Sequence, residues 1–465
     1  VTLFIRGCIT FTYHIKQKGR FFMRIKLSDH FSFNKLLRFI FPTILMMLFT
    51  SIYGVVDGFF ISNFVGKTAF AAVNFIMPFL MILGAVGFMI GTGGTAIVSQ
   101  TLGEGDNEKA NRYFSFLVLV TAISGVVIAV LGELSIPFVT RLLGASSDMF
   151  DICVLYSRII MLAVPAYMLQ NLFQAFFTTA EKPKLGFVVT LIAGCTNIVL
   201  DAVAVGLLKW GVTGAAIATA ASQLVGAVIP LIYFSRKNSS LLKFTKCGFY
   251  GKILLKTCTN GSSEFVSNIS SSVVGIVFNS QLMRLAGEDG VSAYGVMMYI
   301  CFIYIAIFIG YAIGTAPIIG FNHGAKNYGE LQNIFKKSLL LMAVFGVTMT
   351  VIAEILAPWV SRLYVGYDEA LCEMTTKAFH LFSLSFVFTG FGIFGSSLFT
   401  ALGNGGISAL LSFLRTLVFQ VGSVMILPIF FDVNGIWLSM LSAEILATIV
   451  TMILCYAKRK KYHYA

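Results

Sequence analysis

From Leu36 to about residue 457 the chain consists almost wholly of long apolar runs separated by short polar breaks. Nothing else in the sequence constrains the fold as strongly. About 20 apolar residues at 1.5 Å each cross a hydrocarbon core roughly 30 Å thick. In lipid every backbone N–H and C=O must be satisfied within the segment, so the runs are helices. A β-barrel would show alternating segments of about ten residues; these runs are longer and solidly apolar. Composition agrees, with 57% hydrophobic and 11% charged residues, where a soluble domain carries about 25% charged. Mean hydropathy is +0.88. Twelve spans are expected, at residues 36–63, 70–100, 112–136, 150–180, 185–208, 212–235, 252–286, 292–322, 332–357, 370–402, 406–430 and 434–457.

The net charge of +13 would suggest nucleic acid in a soluble protein. Here it reports topology, and no nucleic-acid partner is expected. Lys109, Arg112, Lys182, Lys184, the 236–256 loop, Lys326, Lys336, Lys337 and the 458–461 run fall on one side. The other side keeps Lys67, Arg141, Lys209 and Arg362. By the positive-inside rule both termini are cytoplasmic in a multi-pass protein of the cell inner (plasma) membrane. Residues 1–34 read as a basic tail without a signal-peptide pattern. The leading Val and the later Met23 suggest that 1–22 are not native; the alternative is a real basic tail. The eight cysteines are scattered without a C-x-x-C pair, so neither disulfides nor a metal cluster are expected.

A repeat organises the spans. Gly132-Glu-Leu-Ser-Ile-Pro-Phe-Val-Thr-Arg-Leu recurs as Ala353-Glu-Ile-Leu-Ala-Pro-Trp-Val-Ser-Arg-Leu, matching Glu133, Pro137 and Arg141 to Glu354, Pro358 and Arg362. The same offset pairs Gly54 with Gly275, Gly66 with Gly287 and Gly214 with Gly435. Six spans per copy is even, so the copies run the same way through the membrane. The expected fold class is all-α integral membrane, with twelve transmembrane helices in two parallel-repeat six-helix bundles around a central cleft. The expected domains are residues 35–235, a connecting loop at 236–251, residues 252–458 and a basic C-terminal tail at 459–465.

The copies differ where chemistry is expected. Asn197 and Asp201 stand i,i+4 on one helix face in an apolar run. Asp57 lies in the first span, and a mid-membrane carboxylate costs about 2.5–3.5 kcal/mol. In the second copy Asp57 aligns with Phe278, Thr219 with Met440, and the Asn197–Asp201 stretch with apolar or small residues near Val418–Ser423. Deep acidic groups that drive transport are therefore expected in the first half. Two carboxylates, an amide and a hydroxyl are hard oxygen donors, suited to Na⁺ at Asp57, Asn197, Asp201 and Thr219, or to a shared proton. Asn171 and Gln174 could complete this site or serve as interhelical glue. Glu264 and Asn268, early in span 7, read either as substrate contacts in the cleft or as a solvated helix end. Met161 and Met298 are candidates for an adaptable cleft wall. Arg415 is expected to snorkel, and the duplicated Glu133/Glu354 motif to form helix-end salt bridges. There is no phosphate-binding loop, H-E-x-x-H or nucleophile elbow. No enzyme and no cofactor are expected, and an ion gradient must supply the energy.

The chain resembles the MATE (multidrug and toxic compound extrusion) family. The resemblance rests on Val55-Val-Asp-Gly-Phe-Phe-Ile-Ser-Asn-Phe-Val-Gly66, Pro78, the stretches from Gly91 and Gly103, Asn197-x-x-x-Asp201 and the segment ending at Thr219. It implies two six-helix bundles that alternate access, and export of organic cations and amphipathic compounds in exchange for Na⁺ or H⁺. It also implies that Asp57, Asn197, Asp201 and Thr219 are the cation site. Small-molecule substrates and the bilayer are the expected partners, and a monomer the expected state. The alternative is a flippase for a lipid-linked substrate on a related two-bundle fold. Few mid-span Lys or Arg side chains are present to hold a pyrophosphate. An integral-membrane enzyme or receptor is the third reading.

Overall fold

A computed structural model describes residues 25–465; the expectation about residues 1–22 lies outside the described residues. These are mostly helical, without strands among the described residues. The first six spans are α1 Phe33–Phe60, α2 Lys67–Gly103, α3 Asn107–Leu142, α4 Ser147–Thr179, α5 Pro183–Leu200 and α6 Gly211–Ser235. Then follow α7 Gly251–Gly324, α8 Tyr328–Val365, α9 Glu369–Ser383, α10 Phe386–Ala401, α11 Gly405–Phe413 and α12 Pro428–Tyr462. The stretch α11 begins carries on as a helix to Ile426. Asp106 caps α3 and Asn327 caps α8 at repeat-related positions, each accepting a backbone N–H with its side chain.

Twelve crossings follow from two breaks. The 74 residues of α7 would measure about 110 Å as one rod, several bilayer cores. The break is Gly287, at φ 62 and ψ −152, a conformation that strongly favours glycine. Gly66, its repeat partner, ends the first span at φ 119. The expected span 10 is bent instead of continuous: α9 and α10 meet at 47° across Leu384–Ser385 and together cross once.

Each half has an aromatic-rich core, and the start of α1 packs into that of the second half. Phe114, Phe173, Phe176 and Phe234 cluster in the first, and Phe308, Tyr311, Phe394 and Phe399 in the second. The connection between them, residues 236–250, lies on the first lobe. Lys243 N–H donates to Asn111 Oδ1 (2.7 Å), Thr245 N–H donates to Ser115 Oγ (2.9 Å), and Phe244 stacks on Phe114.

The lobes meet at the end that carries the described termini. A Cβ on Gly103 would stand 2.0 Å from Phe321 O, and one on Gly324 2.1 Å from Gln100 O. These positions exchange under the repeat, so the contact is self-complementary about a pseudo-two-fold axis. Gly93 and Gly261 make a second close crossing between α2 and α7, at positions the repeat does not exchange. At the opposite end Gly54 and Gly275 have nothing within 4 Å of where a Cβ would stand. The glycine crossings that join the lobes thus lie on the terminus-bearing side.

Candidate cation site

Four helices of the first lobe converge on one buried polar cluster. Asp57 comes from the last turn of α1, where the helix loosens into a π-turn at Ile61–Val65. Asn197 sits in the last turn of α5, and Asp201 begins the π-segment Asp201–Leu207 that continues it. Such segments are frequent at functional sites. Thr219 lies about 12 Å along α6 at 1.5 Å per residue. The i,i+4 spacing does what it was expected to do, turning Asn197 and Asp201 to the same interior.

The geometry joins all four. Asn197 Nδ2 donates to Thr219 Oγ1 (3.5 Å), whose hydroxyl donates to Asp57 Oδ1 (3.4 Å). Asp57 and Asp201 face each other. Asp57 is 7% exposed, Asn197 1% and Asp201 0%. Apart from the Asp57 carboxyl that Asp201 faces, both Asp201 oxygens and Asn197 Oδ1 are buried without a hydrogen-bond donor from the protein. A carboxylate kept in that condition is expensive unless a proton or cation satisfies it.

A fifth group escaped the sequence. Tyr156 of α4 is wholly buried against Asp57, Asp201 and Thr219, and its hydroxyl, though near Thr219, makes no well-formed hydrogen bond. Tyr53, one turn before Asp57, extends the polar interior towards Tyr167 and Gln170. Asn171 and Gln174 are buried too, each with one amide atom unpaired. Asn171 reaches Tyr167, in a layer adjoining the carboxylates.

The second lobe is apolar at the positions that match the acidic site and carries its buried charges elsewhere. Asp57's counterpart Phe278 stacks on Tyr294 with centroids 5.2 Å apart. Arg415, expected to snorkel, instead turns inward from a π-segment, Leu414–Phe419. Its Nε lies 3.0 Å from both Glu444 oxygens and its Nη2 2.8 Å from Oε1. Glu444 is fully buried, so Arg415 turns inward because leaving this carboxylate alone costs more than burying the pair. The bare backbone of Gly392 makes room, since a Cβ there would stand 2.8 Å from Arg415 Cδ. Deep acids are thus not confined to the first half, but Glu444 already has its cation.

Glu264 is half-buried and faces Arg415. It lies one turn along α7 from the Gly261 crossing. Asn268 donates to Glu264 O along the same helix (2.8 Å). Met298 is half-buried against the second lobe's core. Met161 is a correction: it has no exposed surface, and its sulfur fills the space a side chain on Gly132 would need. It packs the lobe instead of lining the cleft. The duplicated glutamates pair with the following helix, Glu133 with Arg158 at 3.1 Å and Glu354 with His380.

The MatE family model matches residues 42–203 and again 265–426, once per lobe. The multidrug export protein MepA of Staphylococcus haemolyticus is 25% identical over 435 residues, covering 92% of this chain and 94% of that one. MepA of Staphylococcus saprophyticus is 24% identical over 446 residues with the same coverage. Among solved structures, a MATE protein in complex with MaL6 superposes with a TM-score of 0.89 at 22% identity. An outward-facing multidrug resistance MATE transporter gives 0.88 at 22% identity. Each of these two matches covers 94% of this chain and 98% of the other.

Proposed function

The chain belongs to the MATE family and is a membrane transporter, not an enzyme, and from that premise we propose that it exports amphipathic and cationic compounds in exchange for Na⁺ or H⁺ bound at Asp57, Asn197, Asp201 and Thr219. The observation that carries this is the buried Asp57–Asp201 pair, in which the Asp201 oxygens have no protein donor and face only the other carboxyl. Its relatives' description as multidrug export proteins supports the cargo.

One positive charge between two facing carboxylates removes their repulsion and supplies the missing partners. Asp57, Asp201, Thr219 and Tyr156 belong to four different helices. A bound cation therefore draws α1, α4, α5 and α6 together in one lobe. Coupling then requires only that the drawn-in lobe holds cargo less tightly than the relaxed one. Oxygen donors alone suit Na⁺ or a proton and give a soft metal nothing to prefer. On the positive-inside rule the described C-terminus is cytoplasmic, so the glycine crossings lie on the cytoplasmic side.

Proteoliposomes holding a fluorescent organic cation, with Na⁺ and pH gradients imposed separately, test the reading. Efflux should follow one gradient. Asp57→Asn and Asp201→Asn should each reduce it at least about tenfold, the scale of one lost charge-assisted contact of about 1.5–3 kcal/mol, while the protein still inserts. Near-normal efflux in both variants would remove the assigned role.

A further inference from the structure

We propose that residues 25–32 form a strap that latches the two lobes at the terminus-bearing end and biases the carrier towards the state open at the other end. The strap runs directly into α1, whose N-cap is Ser32, so it is tied to the first lobe. It docks on the second. Phe31 N–H donates to Glu330 Oε1 (2.9 Å), and Phe31 O accepts from Lys337 Nζ (2.6 Å) and Asn333 Nδ2 (3.0 Å). His30 Nδ1 lies 2.6 Å from Glu330 Oε2.

Leu27 is gripped from both sides. Its N–H donates to Glu181 Oε1 at 2.9 Å, on the turn between α4 and α5 of the first lobe. Its carbonyl accepts from Asn322 Nδ2 at 3.4 Å, near the end of α7 in the second. Leu27 and Phe31 are wholly buried in one core with Phe39 of the first lobe and Ile334 and Phe335 of the second. Glu181 holds φ 56, a left-handed conformation costly for a side chain. The corresponding turn of the second lobe, before α11, uses Gly403 at φ 77. A strained residue is kept where its carboxylate takes the strap's amide.

Asn322, which the strap holds, lies two residues from Gly324 of the Gly103–Gly324 crossing. Opening this end would part that crossing, and the strap must then release one lobe. Contacts made in only one of two states shift the balance towards it by their own worth. This holds whichever groups carry the coupling ion.

Hydrogen exchange read by mass spectrometry, on the full chain in nanodiscs, tests the latch with two variants, E181A/E330A and L27S/F31S. In both, amides of 98–103 and 318–324 should exchange at least about tenfold faster. Those of 54–65 and 276–290 should gain protection as the other end closes. Faster exchange confined to 25–32 would make the segment a passive tail and overturn the proposal. A rise across all helices in both variants would make it part of the folding core and overturn it equally.

Discussion

Tyr156 separates ion binding from packing at the scale of one residue. Its hydroxyl is buried beside both carboxylates and Thr219 and makes no well-formed hydrogen bond. Removing an unsatisfied buried hydroxyl is neutral or stabilising, so Tyr156→Phe should unfold in ion-free buffer no earlier than the parent. With the coupling ion present the variant lacks one oxygen. Its melting point should therefore rise less on ion titration, since stabilisation follows RT ln(1 + [L]/Kd). Equal rises in both proteins would place Tyr156 outside the ion's reach. The Arg415–Glu444 pair calls for the opposite treatment. Glu444→Ala strands a buried guanidinium and should cost about 3–5 kcal/mol, whereas R415L/E444L should come within about 1–2 kcal/mol of the parent or exceed it. Thermal denaturation in detergent reads both. The sequence exposes Asp57, Asn197 and Asp201 because charge and amide in an apolar run are costly and so conspicuous. Tyr156 carries no such mark, since a tyrosine is at home in an apolar helix. Arg415 was misread because snorkelling and pairing differ only in what the neighbouring helix offers.

Elements show the same division. The repeat makes the Gly66 and Gly287 turns legible, because both copies need a backbone that strongly favours glycine. The bend between α9 and α10 was not, for Leu384–Ser385 contains neither proline nor glycine, and a continuous apolar run hides it. Glycines at helix crossings are legible only in pairs. Gly103 and Gly324 are packed in this state, while Gly54 and Gly275 are open. If access alternates by closing one end as the other opens, the two sets exchange roles. Gly103→Val should then oppose the present state, and Gly275→Val should oppose its alternative. Hydrogen exchange should move in opposite directions in the two variants, with 98–103 less protected in the first and more protected in the second. Movement in the same direction would mean that the two ends do not alternate.

The whole molecule is two copies of one lobe that have been given different work. The first holds carboxylates without a resident cation, and the second holds a carboxylate with one. The proposed ion site in one lobe can govern a cleft shared by both only through their common equilibrium. Linkage then makes the effect reciprocal. Saturating the coupling ion should weaken binding of a fluorescent organic cation by some factor, within about 5–150-fold for couplings of this kind. Saturating the organic cation should weaken ion binding by the same factor. Anisotropy of the dye across an ion titration gives the first, and ion-induced thermal shifts with and without dye give the second. In Asp201→Asn both factors should fall to about one, because a ligand with equal affinity for two states shifts neither. Unequal factors in the parent would show that the two ligands do not act through one equilibrium, whatever the carboxylates bind.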